Sequence, residues 1–274
     1  MYRLSRLSKY GRVASPRFMS SAGNLGGRVA IITAGTDGIG LAIAKRLGQN
    51  GARVVVSSRK QKNIDRAVDE LKSIGIKVLG IPCDVADSEQ RQNLIKKTMK
   101  DFGSINILVQ NAGVNPHLLN IMETPGSVLD KTYGLHIKAN FQIVQEIFPH
   151  MTKSEHQGSI ILTSSIVGYT SQLIPGAYAI TKASISAMVR AFTPELMNRN
   201  IRINCVSFGG IDTSFFQKVQ QNQPFRDSLL SYVPMKRFGT VDECAGFAAY
   251  LASDDASYVT GENFVIAGGL YSRP

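Results

Sequence analysis

The stretch that most limits the possible folds runs from Arg28 to Asn50. Arg28 to Thr33 is a short apolar run, suited to a strand buried within a parallel sheet. It passes into Thr33-Ala34-Gly35-Thr36-Asp37-Gly38-Ile39-Gly40, then into a helical apolar pattern that reaches Asn50 and is closed by Gly51. Strand, glycine-rich turn and helix, in that order, form the local context of a phosphate-binding turn. Glycines let the backbone approach a pyrophosphate, and the helix N-terminus offers free N–H groups and a partial positive charge.

The same alternation continues along the chain. Strands are predicted at Ala52 to Ser57, Lys77 to Cys83, Ile105 to Gln110, Gly158 to Thr163, Arg202 to Ser207 and Asn263 to Ala267. Helices are predicted at Asn63 to Ile74, Ser88 to Phe102, Ser127 to about His150, and Gly176 to Asn198. Another opens at the capping box Thr240-Val241-Asp242-Glu243 and runs to about Ser253. Pro194 lies inside the Gly176 to Asn198 pattern, where it removes a backbone donor, so a kink or an early end is expected there. Ile211 to Lys236 is the least regular stretch and reads as a loop or lid. Such alternation specifies an α/β fold: a doubly wound, seven-stranded parallel sheet with helices on both faces. It fills a single domain, 26–274, behind a basic segment, 1–25.

Two places carry chemistry. The second strand ends in Ser57-Ser58-Arg59-Lys60, where a dinucleotide's adenosine ribose would lie. An acid there would accept from the 2′-hydroxyl and signal NAD. Ser58 stands there instead, followed by a guanidinium fork and an ammonium, which suit a 2′-phosphate and hence NADP. A solvated basic turn is the other reading. Further on, Tyr178 and Lys182 are four residues apart in a helical pattern and so share a face. A cation beside a phenol favours the tyrosinate, and the pair could exchange a proton with a carbonyl oxygen or an alcohol. By itself the spacing also fits an ordinary amphipathic helix.

Composition sets the outer bounds. The 274 residues are 43% apolar, enough for one sizeable core. Cys83, Cys205 and Cys244 make neither a disulfide framework nor a metal spacing. Histidines 117, 150 and 156 likewise lack ligand spacing, and no apolar run approaches the roughly 20 residues a membrane helix needs. The net charge of +11 could signal nucleic acid. However, five of the 31 basic residues, Arg3, Arg6, Lys9, Arg12 and Arg17, lie within residues 1 to 27, and the first acid is Asp37. An Arg- and Ser-rich, acid-free N-terminus has the character of a mitochondrial transit peptide, or is a disordered basic tail. The remaining excess suits an anionic cofactor without calling for nucleic acid.

Taken together these residues resemble the short-chain dehydrogenase/reductase family over about Gly26 to Gly269. The shared motifs are the glycine turn, Asn111-Ala112-Gly113 after strand four, and Ser165 placed 13 residues before Tyr178. The resemblance implies an NADP(H)-dependent oxidoreductase acting on a small-molecule carbonyl or alcohol, built as a homodimer or homotetramer. Gly38, Ile39 and Gly40 would meet the pyrophosphate, with Gly35 and Asp37 in the same turn. Arg59 and Lys60 would hold the 2′-phosphate, and Asp84 and Val85 the adenine. Asn111, Ala112 and Gly113 would line the cofactor ribose, and Ile211 and Thr213 would add contacts after strand six. Ser165 would polarise the substrate carbonyl, Tyr178 would give the proton, and Lys182 would bind the nicotinamide ribose. Apolar ketones, dicarbonyls, retinal or steroids are the implied substrates, with Ile174, Phe208, Phe215 and Phe216 near the pocket and His117 bordering it.

Several positions depart from the family pattern. Ala34 stands for the first motif glycine, and Phe208 for a proline. His136 stands where the family has an active-site Asn, with Asn140 one turn on. His136 could replace Asn in a proton relay and add a pH-sensitive step, or could be a packed residue in a damaged relay; Asn140 is a further substitute. A catalytically weak NADP-binding protein is the rival reading. Ala183, Ala187 and Ala191 form a small-residue stripe for subunit contact or internal packing. Family members that end in a peroxisomal tripeptide carry leucine last, and Pro274 replaces it here, which favours a mitochondrial over a peroxisomal or cytoplasmic address.

Overall fold

A computed structural model describes residues 24–114, 121–152, 155–170, 176–216 and 221–270. The basic segment up to residue 23, residues 115–120 with His117, residues 171–175 with Ile174, and the C-terminal tripeptide lie outside that description, as does the Phe215 side chain.

Seven strands form one sheet: β1 (Val29–Thr33), β2 (Arg53–Ser58), β3 (Val78–Pro82), β4 (Ile107–Gln110), β5 (Gly158–Ser165), β6 (Ile201–Phe208) and β7 (Asn263–Ile266). Their order is β3-β2-β1-β4-β5-β6-β7 and every pairing is parallel. Strand residues point alternately to the two faces, so β1 feeds two cores. Ala30 and Ile32 pack with Val54, Val56, Ile107 and Val109 on one face; Val29 and Ile31 pack with Val55 and Leu108 on the other. Each Ile or Leu buried this fully contributes about 1.5–3 kcal/mol.

The helices are α1 (Gly38–Gln49), α2 (Gln61–Ser73), α3 (Ser88–Phe102), α4 (Gly126–Tyr133), α5 (Asn140–Met151), α6 (Ala177–Met197), α7 (Gln223–Ser231) and α8 (Val241–Ala252). Helices α1 and α8 cover the first face, and α3, α5 and α6 the second. The expected capping box is present, with Thr240 and Glu243 satisfying each other's backbone amides.

Three sequence expectations are corrected. The helix predicted from Ser127 to His150 is interrupted by a π turn, Gly134–Ala139, between α4 and α5. Apolar periodicity cannot register a single wide turn whose flanks stay in phase with the core. Helix α6 does not end at Pro194 but runs on to Met197, because one missing donor so near the C-terminus removes little. The Thr193 hydroxyl also donates to the Val189 carbonyl at 2.8 Å. Finally, the irregular stretch contains α7, capped by the Asn222 side chain on the Phe225 amide. Its polar residues hid a short helix with Pro224 in the first turn, where proline is tolerated.

Because β1 has β2 on one side and β4 on the other, successive crossovers leave it in opposite directions. Their carboxyl ends therefore flank a crevice, the place where open α/β sheets bind ligands.

Candidate active site

The glycine turn lies at the end of β1. Asp37 caps α1, accepting from the Gly38 amide at 2.9 Å. Gly40 is required by close approach: a Cβ there would stand 2.3 Å from the Ala34 carbonyl oxygen and 2.6 Å from Asn111 Nδ2. Asn111 Nδ2 donates to the Ala34 carbonyl at 3.3 Å, which fastens the turn to the chain after β4. The Thr33 hydroxyl accepts from the Asn111 amide at 3.0 Å and the Ala112 amide at 3.3 Å, and donates to Gln110 Oε1 at 2.5 Å. Arg66 reaches from α2 to the Thr36 carbonyl at 2.9 Å. Ala34, where the family has glycine, takes a left-handed φ of 48°, which is strained for any residue with a Cβ.

Ala34, Ser58, Arg59, Asp84, Val85 and Gly113 line one continuous cleft. Of the residues expected to meet a cofactor, Ser58 and Arg59, Asp84 and Val85, and Ala112 and Gly113 line this cleft. Arg59 lines it, and both Arg59 and Lys60 are exposed, outside every ion pair found among the described residues. Ile211 and Thr213 close the far side, with Thr213 Cγ2 3.4 Å from where a Gly38 Cβ would be. The Ser214 hydroxyl donates to Asp37 at 2.6 Å, so the segment after β6 is tied to the glycine turn. Glycines where a backbone must come close, free amides at α1 and exposed cations fit a dinucleotide.

Ser165, Tyr178 and Lys182 converge at the other end. Ser165 is the last residue of β5, and its hydroxyl is close enough to the Tyr178 phenol to favour the ionised form. Lys182 is buried and donates from Nζ to the Thr163 carbonyl at 3.0 Å, while the Ser164 hydroxyl accepts nothing from it but donates to the Lys182 carbonyl at 2.8 Å. Lys182 Nζ lies 5.8 Å from the Tyr178 ring centre and 3.5 Å from the point where a Gly113 Cβ would stand. The buried ammonium therefore faces the chain at Gly113.

The titration of the pair differs from the sequence expectation. Burial pushes the Tyr178 phenol up to about 12, with the Ser165 hydroxyl acting the other way. Burial brings the Lys182 ammonium down to about 8, opposed by Cys205. Lys182 does not hold a tyrosinate here, because desolvation of the buried phenol decides its state. The phenol stays protonated at neutral pH, a proton donor rather than a base.

His136 is completely buried in the π turn. Its Nε2 accepts from the Val114 amide at 3.1 Å, and its Nδ1 is 2.9 Å from Thr181 Oγ1. Burial, reinforced by the Lys182 charge, pushes the imidazole down to about 2. The expected pH-sensitive step near neutrality is thus overturned: both ring nitrogens are occupied and the ring is neutral. Asn140 is also buried, its amide donating to the His136 carbonyl at 2.7 Å.

Phe208 ends β6 directly opposite Ser165 in register and is buried. Phe216 packs edge-on against Phe238 at 5.1 Å. Sequence reasoning missed Thr33, Arg66, Thr181 and Ser214. Only Thr181 had a signal, its place between Tyr178 and Lys182; the others depend on contacts across the sheet.

A doubly wound sheet with a dinucleotide cleft leading to a Ser, Tyr and Lys cluster defines a nicotinamide-dependent oxidoreductase. The comparisons agree. A family model described as enoyl-(acyl carrier protein) reductase matches residues 33–271. Tropinone reductase-like 3 of Erythroxylum coca is 47% identical over 247 residues, covering 90% of this chain and 94% of that protein. Dehydrogenase/reductase SDR family member 4 of Homo sapiens is 41% identical over 249 residues, covering 91% and 89%. A solved short-chain type dehydrogenase/reductase from Mycobacterium marinum superposes with a TM-score of 0.85 at 29% identity, covering 90% of this chain and 97% of its own. The chain belongs to the short-chain dehydrogenase/reductase family. It is an oxidoreductase that uses a nicotinamide cofactor. No helix among the described residues is long and apolar enough to cross a membrane.

Proposed function

We propose that the chain is an NADPH-dependent carbonyl reductase that also runs in reverse as an alcohol dehydrogenase. The observation that carries this reading is the convergence of Ser165 and Tyr178 beside a buried Lys182, near a cleft that Arg59 lines. Bound NADPH would supply the hydride. Gly38, Ile39 and Gly40 would hold its pyrophosphate, Arg59 and Lys60 its 2′-phosphate, and Asn111, Ala112 and Gly113 its ribose. The Ser165 hydroxyl donates to the substrate carbonyl oxygen and fixes it beside Tyr178. The Tyr178 phenol, neutral at physiological pH, delivers the proton to that oxygen. Lys182, cationic below about pH 8, stabilises the negative charge left on the phenolate.

Support for an apolar substrate comes from the packing around the phenol. Tyr178 packs against a small apolar cluster of Ile166, Val167 and Ala179, which Val265, Ala267 and Leu270 also join. Ketones, dicarbonyls, retinal and steroids share the chemistry such walls accept, a carbonyl on an apolar body. The exposed Phe141 and Ile180 on α5 and α6 support a homodimer or homotetramer.

The test is a carbonyl panel assayed in parallel with NADPH and NADH, following nicotinamide absorbance. Turnover of an aromatic diketone with a clear preference for NADPH is expected. A preference for NADH would refute the role of Arg59 and Lys60. Tight NADPH binding without turnover of any carbonyl would favour the catalytically weak alternative.

A further inference from the structure

The hydrogen bonds around His136 form a chain with a single direction. The Val114 amide can only donate, so Nε2 is its acceptor and carries no proton. The ring is neutral, so the proton is on Nδ1 and is donated to Thr181 Oγ1. Thr181 then donates its own proton to the Tyr178 carbonyl at 3.0 Å. His136 and Thr181 each accept on one side and donate on the other, an arrangement in which neighbouring bonds polarise and strengthen one another. The imidazole also meets the Tyr178 ring edge-on, at 5.5 Å between centres and 78° between planes. A single side chain thus touches the backbone that follows Asn111–Gly113, the residue between Tyr178 and Lys182, and the Tyr178 ring.

We propose that His136, held as the Nδ1–H tautomer, is a positioning residue that ties the backbone at Val114 to α6 at Thr181 and so sets where the Tyr178 phenol stands relative to that backbone. The proposal rests on the reading of Tyr178 as the proton donor. It assigns the imidazole no proton transfer. Protonating Nε2 would turn an N–H toward the Val114 N–H and break the chain at its first link. The titratable groups facing the ring are Tyr178 and Lys182, both on α6. The nearby cation opposes a second positive charge, so geometry and electrostatics hold the same tautomer. A proton relay through this position would need a nitrogen free to exchange with water, and neither is free.

The first test reads the tautomer directly. The full chain is labelled with ¹⁵N-histidine, and the His136 signals are identified by their loss in His136→Gln. The expected spectrum has Nδ1 protonated and Nε2 unprotonated, unchanged between about pH 5 and 8, the window in which an ordinary histidine titrates. A ring that titrates in that window, or that carries its proton on Nε2, overturns the proposal.

The second test separates positioning from bulk stability. His136→Ala and Thr181→Val should each lower kcat for carbonyl reduction by about tenfold to a hundredfold, the range for a slightly misplaced catalytic group. NADPH affinity, read by cofactor fluorescence, should stay within about threefold in both. The double variant should be little worse than either single one, because both break the same chain. His136→Gln should recover part of the loss, since an amide supplies one donor and one acceptor. Additive losses, or unchanged kcat with only a lowered melting temperature, would overturn the proposal. If the wild type reduces no carbonyl, the functional reading fails, while the ¹⁵N spectrum still decides the tautomer and the hydrogen-bond chain.

Discussion

Replacing Arg59 by Ala should convert a cofactor preference into near indifference. The side chain stands exposed at the end of β2, lines the cleft with Ser58, and is not neutralised by an acid among the described residues. A guanidinium on a phosphate makes charge-assisted hydrogen bonds, each worth about 1.5–3 kcal/mol. Exposure and salt screen the contact, so the lower half of that range applies, about 1.5–2 kcal/mol. At 1.4 kcal/mol per decade this is roughly a tenfold to thirtyfold rise in the NADPH KM. The NADH KM should stay within about twofold, since NADH presents no phosphate there. Lys60→Ala should do the same more weakly, because an ammonium is a point charge without the fork. The assay is steady-state reduction of one ketone with each cofactor at two ionic strengths, where the wild-type preference shrinks as salt rises. Equal losses with NADPH and NADH would refute the assignment, as would a preference that ignores salt.

Other outcomes follow from the same geometry. Ala34→Gly should raise the melting temperature by about 1–4 °C, because it relieves a left-handed residue (about 1–2 kcal/mol) at a smaller entropic cost. A thermal melt that moves downward would contradict the strain. Gly40→Ala should weaken NADPH binding and destabilise the chain by about 1–3 kcal/mol, since its Cβ would overlap the Ala34 carbonyl; unchanged binding and melting would refute it. The pH profile of reduction should be flat through the ordinary histidine range and fall as pH rises through about 8. The sign follows from Lys182: burial lowers its pKa, and its protonated form is the active one, so activity is full below that value and lost above it. Profiles of kcat/KM against pH check this, and an inflection near pH 6.5 would implicate a titrating histidine instead.

The layout of the sheet was readable from the sequence because each parallel strand is a short apolar run set off by glycine or a cap. The strand predicted as Ile105 to Gln110 lost two residues to the turn before it, since Ile105 is buried without pairing. The Ser, Tyr and Lys cluster was legible as spacing, and the structure turned spacing into contact through the register that sets Ser165 beside Phe208 at the end of β5. What stayed hidden depends on three-dimensional burial. The Lys182 side chain was expected to lower the phenol's pKa, yet desolvation outweighs it, and no pattern of letters reports desolvation. His136 looked like a titratable relay because its type suggests it. Its neutral state is set by burial and the Lys182 charge, and its tautomer by an amide 22 residues away and a hydroxyl 45 residues away.

The central claim is that Tyr178 protonates a carbonyl while hydride arrives from a nicotinamide bound along the strand ends. The most direct measurement follows deuterium from NADPH labelled at the reactive carbon of its nicotinamide, in the wild type and in Tyr178→Phe. The account predicts one deuterium on the carbinol carbon of the wild-type product, and a Tyr178→Phe variant that binds NADPH normally but transfers deuterium at least about a hundredfold more slowly. Unlabelled alcohol, or transfer at the wild-type rate without the phenol, would contradict it.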